Sequence, residues 1–330
     1  MSLALVTGGA GFLGSHLVDF LIDSMHLDVV VLDDLSGGFQ ENIHPKATFV
    51  EGSIVDHESL RKLFIRYPFK YVYHLGAYAA EGLSSFIKRF NHTNNLIGSV
   101  NLINESVKHN VKSFLFTSSI AVYGTNQLPM REDMIPIPED SYGIAKLAVE
   151  QELRVSHDFF GLPYVIFRPH NVYGERQNLG DRYRNVVGIF MNQIMQDKPI
   201  TIFGNGEQRR AFTYVKDIIP TIAESIMCPK AKNEIINLGS EKHYSVNELV
   251  THIFEAFGKT VPIHHVEERK EVKYAYSDHS KMKDIFPNTK ETELKKGIAF
   301  MADWVKQKGS RKSQSFEGIE LFKNLPSVWR

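Results

Sequence analysis

Tyr142 and Lys146 stand four residues apart in Tyr142-Gly143-Ile144-Ala145-Lys146, at the start of a stretch with helical periodicity. Residues at that spacing share one helix face, with Cβ atoms roughly 5 to 6 Å apart, so a phenol and an ammonium can converge. A free tyrosine titrates near 10, so a base working near neutral pH needs a downward shift of about three units, worth about 4 kcal/mol. A neighbouring ammonium is a natural source of that shift. Ser119 follows the strand-like run Phe114 to Ser118 and can hydrogen-bond the same substrate oxygen. The chemistry within reach is removal of a hydroxyl proton while hydride leaves its carbon. A tyrosine four residues before a lysine is common in amphipathic helices, so its meaning depends on what precedes it.

What precedes it is a glycine turn. Thr7-Gly8-Gly9-Ala10-Gly11-Phe12-Leu13-Gly14 places Gly8, Gly11 and Gly14 three apart, directly after the first strand and at the start of a helix. Missing Cβ atoms let a pyrophosphate approach the backbone, and the helix N-terminus offers free N–H groups and a positive dipole. About twenty residues on, Val29-Val30-Val31-Leu32 ends in Asp33 and Asp34, where a carboxylate can hold the adenosine ribose hydroxyls. That acid would repel the extra phosphate of NADP, and no Arg or Lys follows in the next turn to receive it, so the expected cofactor is NAD.

These residues need a frame. Short β-branched runs (Leu3 to Thr7, Val29 to Leu32, Thr48 to Glu51, Tyr71 to Leu75, Ser113 to Ser118, Tyr164 to Arg168) alternate with helical stretches. That is the pattern of a parallel sheet covered on both faces, a Rossmann-like doubly wound α/β fold with right-handed crossovers. Past Arg168 come an Asn-, Gly- and Arg-rich loop, a helix to Met195, and then Phe212 to Val215 with a helix opened by Asp217 that carries Pro220 in its first turn. After Leu238 follow a helix (Asn247 to Phe257), a charged strand-like stretch (His264 to Tyr276) and a helix (Glu291 to Lys308). The expected organisation is a cofactor domain of residues 1–168 and 211–238, interleaved with a smaller C-terminal α/β substrate domain of residues 169–210 and 239–330. Residues 306–315 read as a solvated polar linker, and Phe316 to Trp329 as an apolar end that packs back on the body.

Composition narrows the classes further. Lys plus Arg equals Asp plus Glu, 38 of each, so no net field draws the protein to nucleic acid or to an anionic membrane. Cys228 is the single cysteine, which excludes an intramolecular disulfide and a cysteine metal cluster and agrees with a reducing compartment. No metal is expected. With no targeting segment read at the start of the chain, the expected location is cytoplasmic.

Taken in order, these motifs resemble the extended short-chain dehydrogenase/reductases, and within them the NAD-dependent nucleotide-sugar epimerase/dehydratase family, most of all the UDP-hexose 4-epimerases. The resemblance is carried by residues 7–14, 33–37, 74–77, 94–98, 118–124, 142–146, 168–174 and 210–217. It implies that Ser36, Gly37, Leu75, Gly76, Ala77, Asn94, Ser118, Tyr142, Lys146 and Pro169 line the cofactor site, and that Ser53 and Ile54 meet the adenine, with Ser53 standing where the family carries Asp. It implies that Ser84, Asn171, Asn185 and Val186 meet a UDP-type nucleotide sugar, and that Arg210 and Arg269 clamp its phosphates. Guanidinium suits that task through its forked donors. The family's 4,6-dehydratases carry an acid pair where Ile120 and Ala121 stand, and its decarboxylases a glutamate at Ala121. Neither isoleucine nor alanine can exchange a proton.

The expectation is therefore a 4-epimerase with catalytic Tyr142, Lys146 and Ser119. A nucleotide-sugar 4-dehydrogenase or keto-reductase, and a non-catalytic NAD-sensing module, are the alternatives. Ala275 aligns with the family's size-gating position and implies room for an N-acetyl group. His170 could touch the sugar or serve as packing. A homodimer is implied through the helices containing Leu96 to Val107 and Ala145 to Phe159.

Overall fold

The protein is described from a computed structural model that covers residues 2–125, 128–268 and 272–330. Continuous apolar runs bounded by turns become the central sheet. Strands β1 (Leu3–Thr7), β2 (Asp28–Asp33), β3 (Thr48–Glu51), β4 (Tyr71–His74), β5 (Ser113–Thr117) and β6 (Tyr164–Pro169) match the six sequence runs to within a residue at each end. Four short strands follow, β7 (Val172–Tyr173), β8 (Ile200–Phe203), β9 (Arg209–Ala211) and β10 (Thr213–Tyr214), then β11 (Glu234–Leu238), β12 (His243–Ser245), β13 (Ile263–Val266) and β14 (Tyr274–Ala275). The main sheet runs β11-β6-β5-β4-β1-β2-β3 with every pairing parallel. This is the Rossmann-like doubly wound order, in which ligands lie beyond the carboxyl ends of the strands where the order reverses, here between β1 and β4.

The helices are α1 (Phe12–Asp23), α2 (His57–Arg66), α3 (Glu81–Ser84), α4 (Lys88–His92), α5 (Gly98–Lys108), α6 (Ser141–Phe160), α7 (Val186–Met195), α8 (Val215–Glu224), α9 (Val246–Phe257), α10 (Ser280–Ile285) and α11 (Leu294–Lys308). Strand alternation divides the core into two layers. Ala4 and Val6 of β1 pack with Leu17 and Leu21 of α1 and with α7, α8, α9 and α11. Leu5, between them, points to the other face, with Leu63 of α2, Leu102 of α5 and Leu153 of α6. Beside the main sheet lie a three-stranded sheet β12-β9-β14 and the pairs β10-β7 and β13-β8.

Several expectations are corrected. Helix α8 begins at Val215, so Pro220 lies in its second turn rather than its first. Among the described residues of the charged stretch His264 to Tyr276, two short strands form with different partners, β13 on β8 and β14 on β9. Residues 306–315 are mostly solvent-exposed, as their polarity suggests, but are pinned at Arg311, whose guanidinium stacks 3.7 Å from the Phe39 ring centroid and whose carbonyl accepts from Asn192 at 2.9 Å. The apolar end does pack back, with Leu325 and Trp329 in a cluster with Ala80, Leu83, Ile87 and Tyr183. Among the described residues no helix is long and apolar enough to cross a membrane.

Candidate active site

A large cleft of about 1690 Å³ opens beyond the carboxyl ends of β1, β2, β4, β5 and β6. Sites for one drug-sized ligand run to about 1,000 Å³, so this cleft has room for two ligands side by side. One half is built on the glycine turn. Gly8 has φ +72°, and a Cβ there would meet the Gly76 backbone at 2.8 Å; a Cβ on Gly14 would meet the Gly8 carbonyl oxygen at 2.0 Å. Only glycine lets the turn, the start of α1 and the end of β4 come this close. The Asp33 carboxylate accepts from Ala10 N–H at 3.0 Å and Leu35 N–H at 2.8 Å, which fixes the turn to the end of β2. Burial pushes its pKa up while those backbone donors pull it down.

Gly8, Gly11, Phe12, Leu13, Gly14, Asp33, Asp34, Ser36, Gly37, Ile54, Leu75, Gly76, Ala77, Asn94, Ser118 and Pro169 all line this cleft. A Cβ-free cradle at a helix N-terminus, with a buried acid about one strand away, fits a dinucleotide. Ser53 does not line it; its hydroxyl turns back to the Val55 N–H at 3.4 Å, in the turn that leads into α2. Asn94 belongs to a π-helical turn, Thr93–Ile97. Its neighbour Asn95 accepts from Tyr78 N–H and donates to Tyr78 O, and Asn91 donates to Ser141 O, so this turn ties the loop after β4 to the start of α6. Interruptions of this kind are common at functional sites.

The candidate reacting centre sits at the N-terminus of α6. Asp140 caps that helix by accepting from Gly143 N–H at 2.8 Å. Tyr142 faces the cleft and Lys146 lies beneath it, 3% exposed, with its ammonium 5.6 Å from the Tyr142 ring centroid and donating to Thr117 O at 2.8 Å. Lys146, expected in the cofactor site, therefore does not line the cleft; it lies behind Tyr142. Burial pulls the Lys146 pKa down to about 7, opposed by the Glu150 carboxylate one turn on. Contrary to the downward shift expected of a base, Tyr142 is pushed well above its ordinary value in the ligand-free protein, first by burial and then by Glu81, with Asp140 adding to the rise and a hydrogen bond from Ser119 opposing it. Burial, then the charge of Glu81, raises Asp140 itself to about 7.

Below this centre, Arg168 of β6 donates to both oxygens of Glu150, at 2.9 and 2.5 Å, and Ser118 donates to Glu150 Oε1 at 2.5 Å. All three are at most 2% exposed. His74, fully buried, joins Thr7 Oγ1 at 2.7 Å and Ser99 Oγ at 2.8 Å, and burial holds it neutral down to about 3.

Asn171, Asn185, Val186 and Arg210 line the other half of the cleft. The two asparagines adopt positive φ, 38° and 60°, a region that Asn tolerates better than most side chains. Arg210 anchors its guanidinium on the Arg209 and Lys273 carbonyls, at 2.9 and 3.0 Å. Arg269 lies outside the described residues. Ser84 is 1% exposed and turned to Glu81 O at 2.7 Å and Asp140 Oδ1 at 3.4 Å, and its neighbour Ser85 lines the cleft instead. Ala275 does not line it either; it packs with Ile120, Val122, Tyr123 and Met130. His170 is a packing residue, joined to Ala211 O and at 2.9 Å to His279 Nε2. The sequence reading missed Glu81, Asp140, Arg184 and the chain's last residues, all of which line the cleft. Asp140 had a signal, an aspartate three residues before a glycine at a helix start, which is the pattern of an N-cap. Among the described residues no cluster of three or more His, Cys, Asp or Glu side chains could hold a metal ion.

Comparison with known proteins gives one family. Residues 4–239 match the NAD dependent epimerase/dehydratase family. A putative UDP-glucose 4-epimerase of Methanocaldococcus jannaschii is 35% identical over 307 residues, 92% of this chain and 98% of its own length. Among solved structures, a UDP-glucose 4-epimerase of Thermotoga maritima, with UDP-glucose, superposes with a TM-score of 0.88 at 34% identity, covering 93% of this chain and 99% of its own. A UDP-glucuronic acid 4-epimerase of Bacillus cereus, in complex with UDP-glucuronic acid and NAD, gives 0.85 at 30% identity, covering 92% and 99%.

Proposed function

This chain belongs to the NAD dependent epimerase/dehydratase family, and we propose that within it the protein is a 4-epimerase of nucleotide-diphosphate hexoses of the UDP-glucose type. The observation that carries the reading is the convergence of Tyr142, Ser119 and buried Lys146 at the meeting of the two halves of one cleft. Ile120 and Ala121, where an elimination would need acid and base, lie 8% and 9% exposed in a short helical turn packed on apolar neighbours.

NAD, when bound, supplies reversible hydride acceptance. The chain's own residues do the rest. Gly8, Gly11 and Gly14 admit the pyrophosphate, and Asp33 sits at the ribose end. Ser119 holds the sugar 4-oxygen against Tyr142 Oη. Tyr142 takes the 4-hydroxyl proton as hydride leaves C4, which leaves a 4-keto sugar, and returns the proton when hydride comes back to the opposite face. When protonated, the Lys146 ammonium behind the Tyr142 ring would favour the phenolate, against the burial that pulls its own pKa down to about 7. Arg210, with Asn171 and Asn185, would hold the nucleotide diphosphate while the ketone turns over. Rate enhancement then comes mainly from alignment and charge placement.

A homodimer is part of this reading. Ile97, Ile144, Val155, Phe159 and Phe160, on the helical turns leading into α5 and on α6, expose apolar side chains to solvent, as an interface between copies would require. Sedimentation at a monomeric mass would refute it.

The function is tested by incubating the NAD-loaded protein with UDP-glucose, UDP-N-acetylglucosamine, UDP-glucuronate and their GDP, CDP and dTDP counterparts, and following ring-proton couplings by NMR. Inversion at C4 without accumulation of reduced nicotinamide is the expected result. Stoichiometric reduced cofactor, a deoxy-keto product or inversion at another carbon would overturn it.

A further inference from the structure

The outer wall of the cleft is made by the end of the chain. Beyond α11, residues 313–316 and 323–330 line it. The strap is fastened along its length: Gln314 N–H donates to Gly180 O at 2.8 Å, Phe316 N–H to Tyr183 Oη at 3.1 Å, and the Arg182 guanidinium to Val328 O. Glu320 accepts from the Arg89 and Phe90 N–H groups at 2.9 Å each, which anchors the strap to the start of α4. Trp329, 5% exposed, meets the rings of Tyr183, Phe203 and Phe86 with centroids 5.5, 5.9 and 6.5 Å away, all near edge-on.

The partners show which half of the cleft is covered. None belongs to the glycine turn, to Asp33 or to Ile54. They belong to α4 and the turn before it, to the loop before Asn185, and to Phe203 at the end of β8. That is the half containing Arg210, Asn171 and Asn185. On this side the strap offers a large aromatic ring, apolar Leu325 and Val328, and two exposed cationic side chains, Lys323 and Arg330. A nucleoside diphosphate presents the complement, a flat base and phosphate oxygens.

We propose that the strap of residues 313–330 is a substrate-binding element, with Trp329 walling the nucleotide half of the cleft and Lys323 and Arg330 drawing the diphosphate to it. The proposal rests on the nucleotide-sugar reading above. It makes the strap a determinant of substrate affinity and leaves the cofactor half untouched.

The sequence provides its own reporter. Trp304 and Trp329 are the only tryptophans, and Trp304, on α11, does not line the cleft. In full-length, NAD-loaded Trp304→Phe protein, titration with UDP should change the fluorescence of Trp329 to saturation. By calorimetry, Trp329→Ala should weaken UDP binding by roughly five- to a hundredfold, the range that loss of an aromatic wall against a base gives, with NAD affinity unchanged. Because Trp329 is buried and its loss can loosen the strap, the paired variant Lys323→Ala/Arg330→Ala, on exposed side chains, gives a second reading: weaker UDP binding, with the gap to the parent protein closing at high salt. Equal UDP affinity in the parent and both variants would overturn the strap's role and leave the epimerase reading standing. Failure of the parent protein to bind UDP or any other nucleoside diphosphate would overturn both.

Discussion

Replacing Asp140 by asparagine isolates one proton at the reacting centre. Burial and the Glu81 carboxylate raise Asp140 from 3.8 to about 7, a difference of about three units, worth about 4 kcal/mol at 1.36 kcal/mol per unit. The sign follows from linkage. Below about pH 4 the carboxyl is protonated in both folded and unfolded chains; between about 4 and 7 the folded protein keeps a proton that the unfolded chain has released, so stability falls as pH rises. Above about 7 the whole penalty is present. Asparagine does not ionise, yet its amide oxygen can still accept from Gly143 N–H and asparagine is among the best N-cap residues. Asp140→Asn should therefore match the parent protein near pH 4 and exceed it by about 2 to 4 kcal/mol near pH 8. His74 and His170, both held neutral down to about 3, give the opposite slope at acid pH, but equally in both proteins, so the difference between the two curves reports Asp140. Urea unfolding of the ligand-free proteins across this range is the assay. Parallel curves would refute the reasoning. The same variant removes one of the charges that raise Tyr142, so the acidic limb of its pH–rate profile should move to lower pH.

Tyr142→Phe should lower turnover by about 10² to 10⁴-fold, the usual contribution of a positioned acid–base group; a loss under about tenfold in progress curves would remove Tyr142 as the base. Arg168→Met leaves Glu150 buried with Ser118 as its remaining close donor, so a loss of about 3 to 5 kcal/mol is expected in urea melts, and an unchanged midpoint would show that Arg168 does not hold that carboxylate. Gly8→Ala forces a side chain into a left-handed backbone 2.8 Å from Gly76. About 1 to 3 kcal/mol of stability should go, together with NAD affinity by calorimetry; full NAD binding would show that the turn does not form the cradle.

The features legible in the sequence were those set by neighbouring residues. β-branched runs such as Val29 to Leu32 form central strands because both faces are covered, and the spacing of Gly8, Gly11 and Gly14 reflects a backbone approach that no other residue permits. Lys146 was found by type and spacing, but its place below Tyr142 rather than in the cleft depends on how α6 is rotated against β5. Ser84 and Ser85 are adjacent, and a helix of one turn decides which of them faces the ligand. Ser53 turns inward for a similar local reason, through its bond to Val55. Glu81 and Asp140 come together from opposite sides of β5 and its flanking loop, which no spacing records. The local polarity of residues 306–315 indicated their exposure, but the anchoring of Arg311 depends on partners as remote as Phe39 and Asn192.

The edge strand β11 has a consequence for how the protein is made. It closes the sheet against β6, yet it comes after β7 to β10 and α7 and α8 in the chain. A ribosome that has delivered β6 has therefore delivered a sheet whose β6 edge is bare and stays so until residue 238 has emerged. Ile236 and Leu238, fully buried in the finished protein, must find Phe167 and Pro169 across that interval of sequence, a contact order that slows the last step of assembly. During synthesis this edge is the place where a chaperone or a second nascent chain would find unpaired backbone.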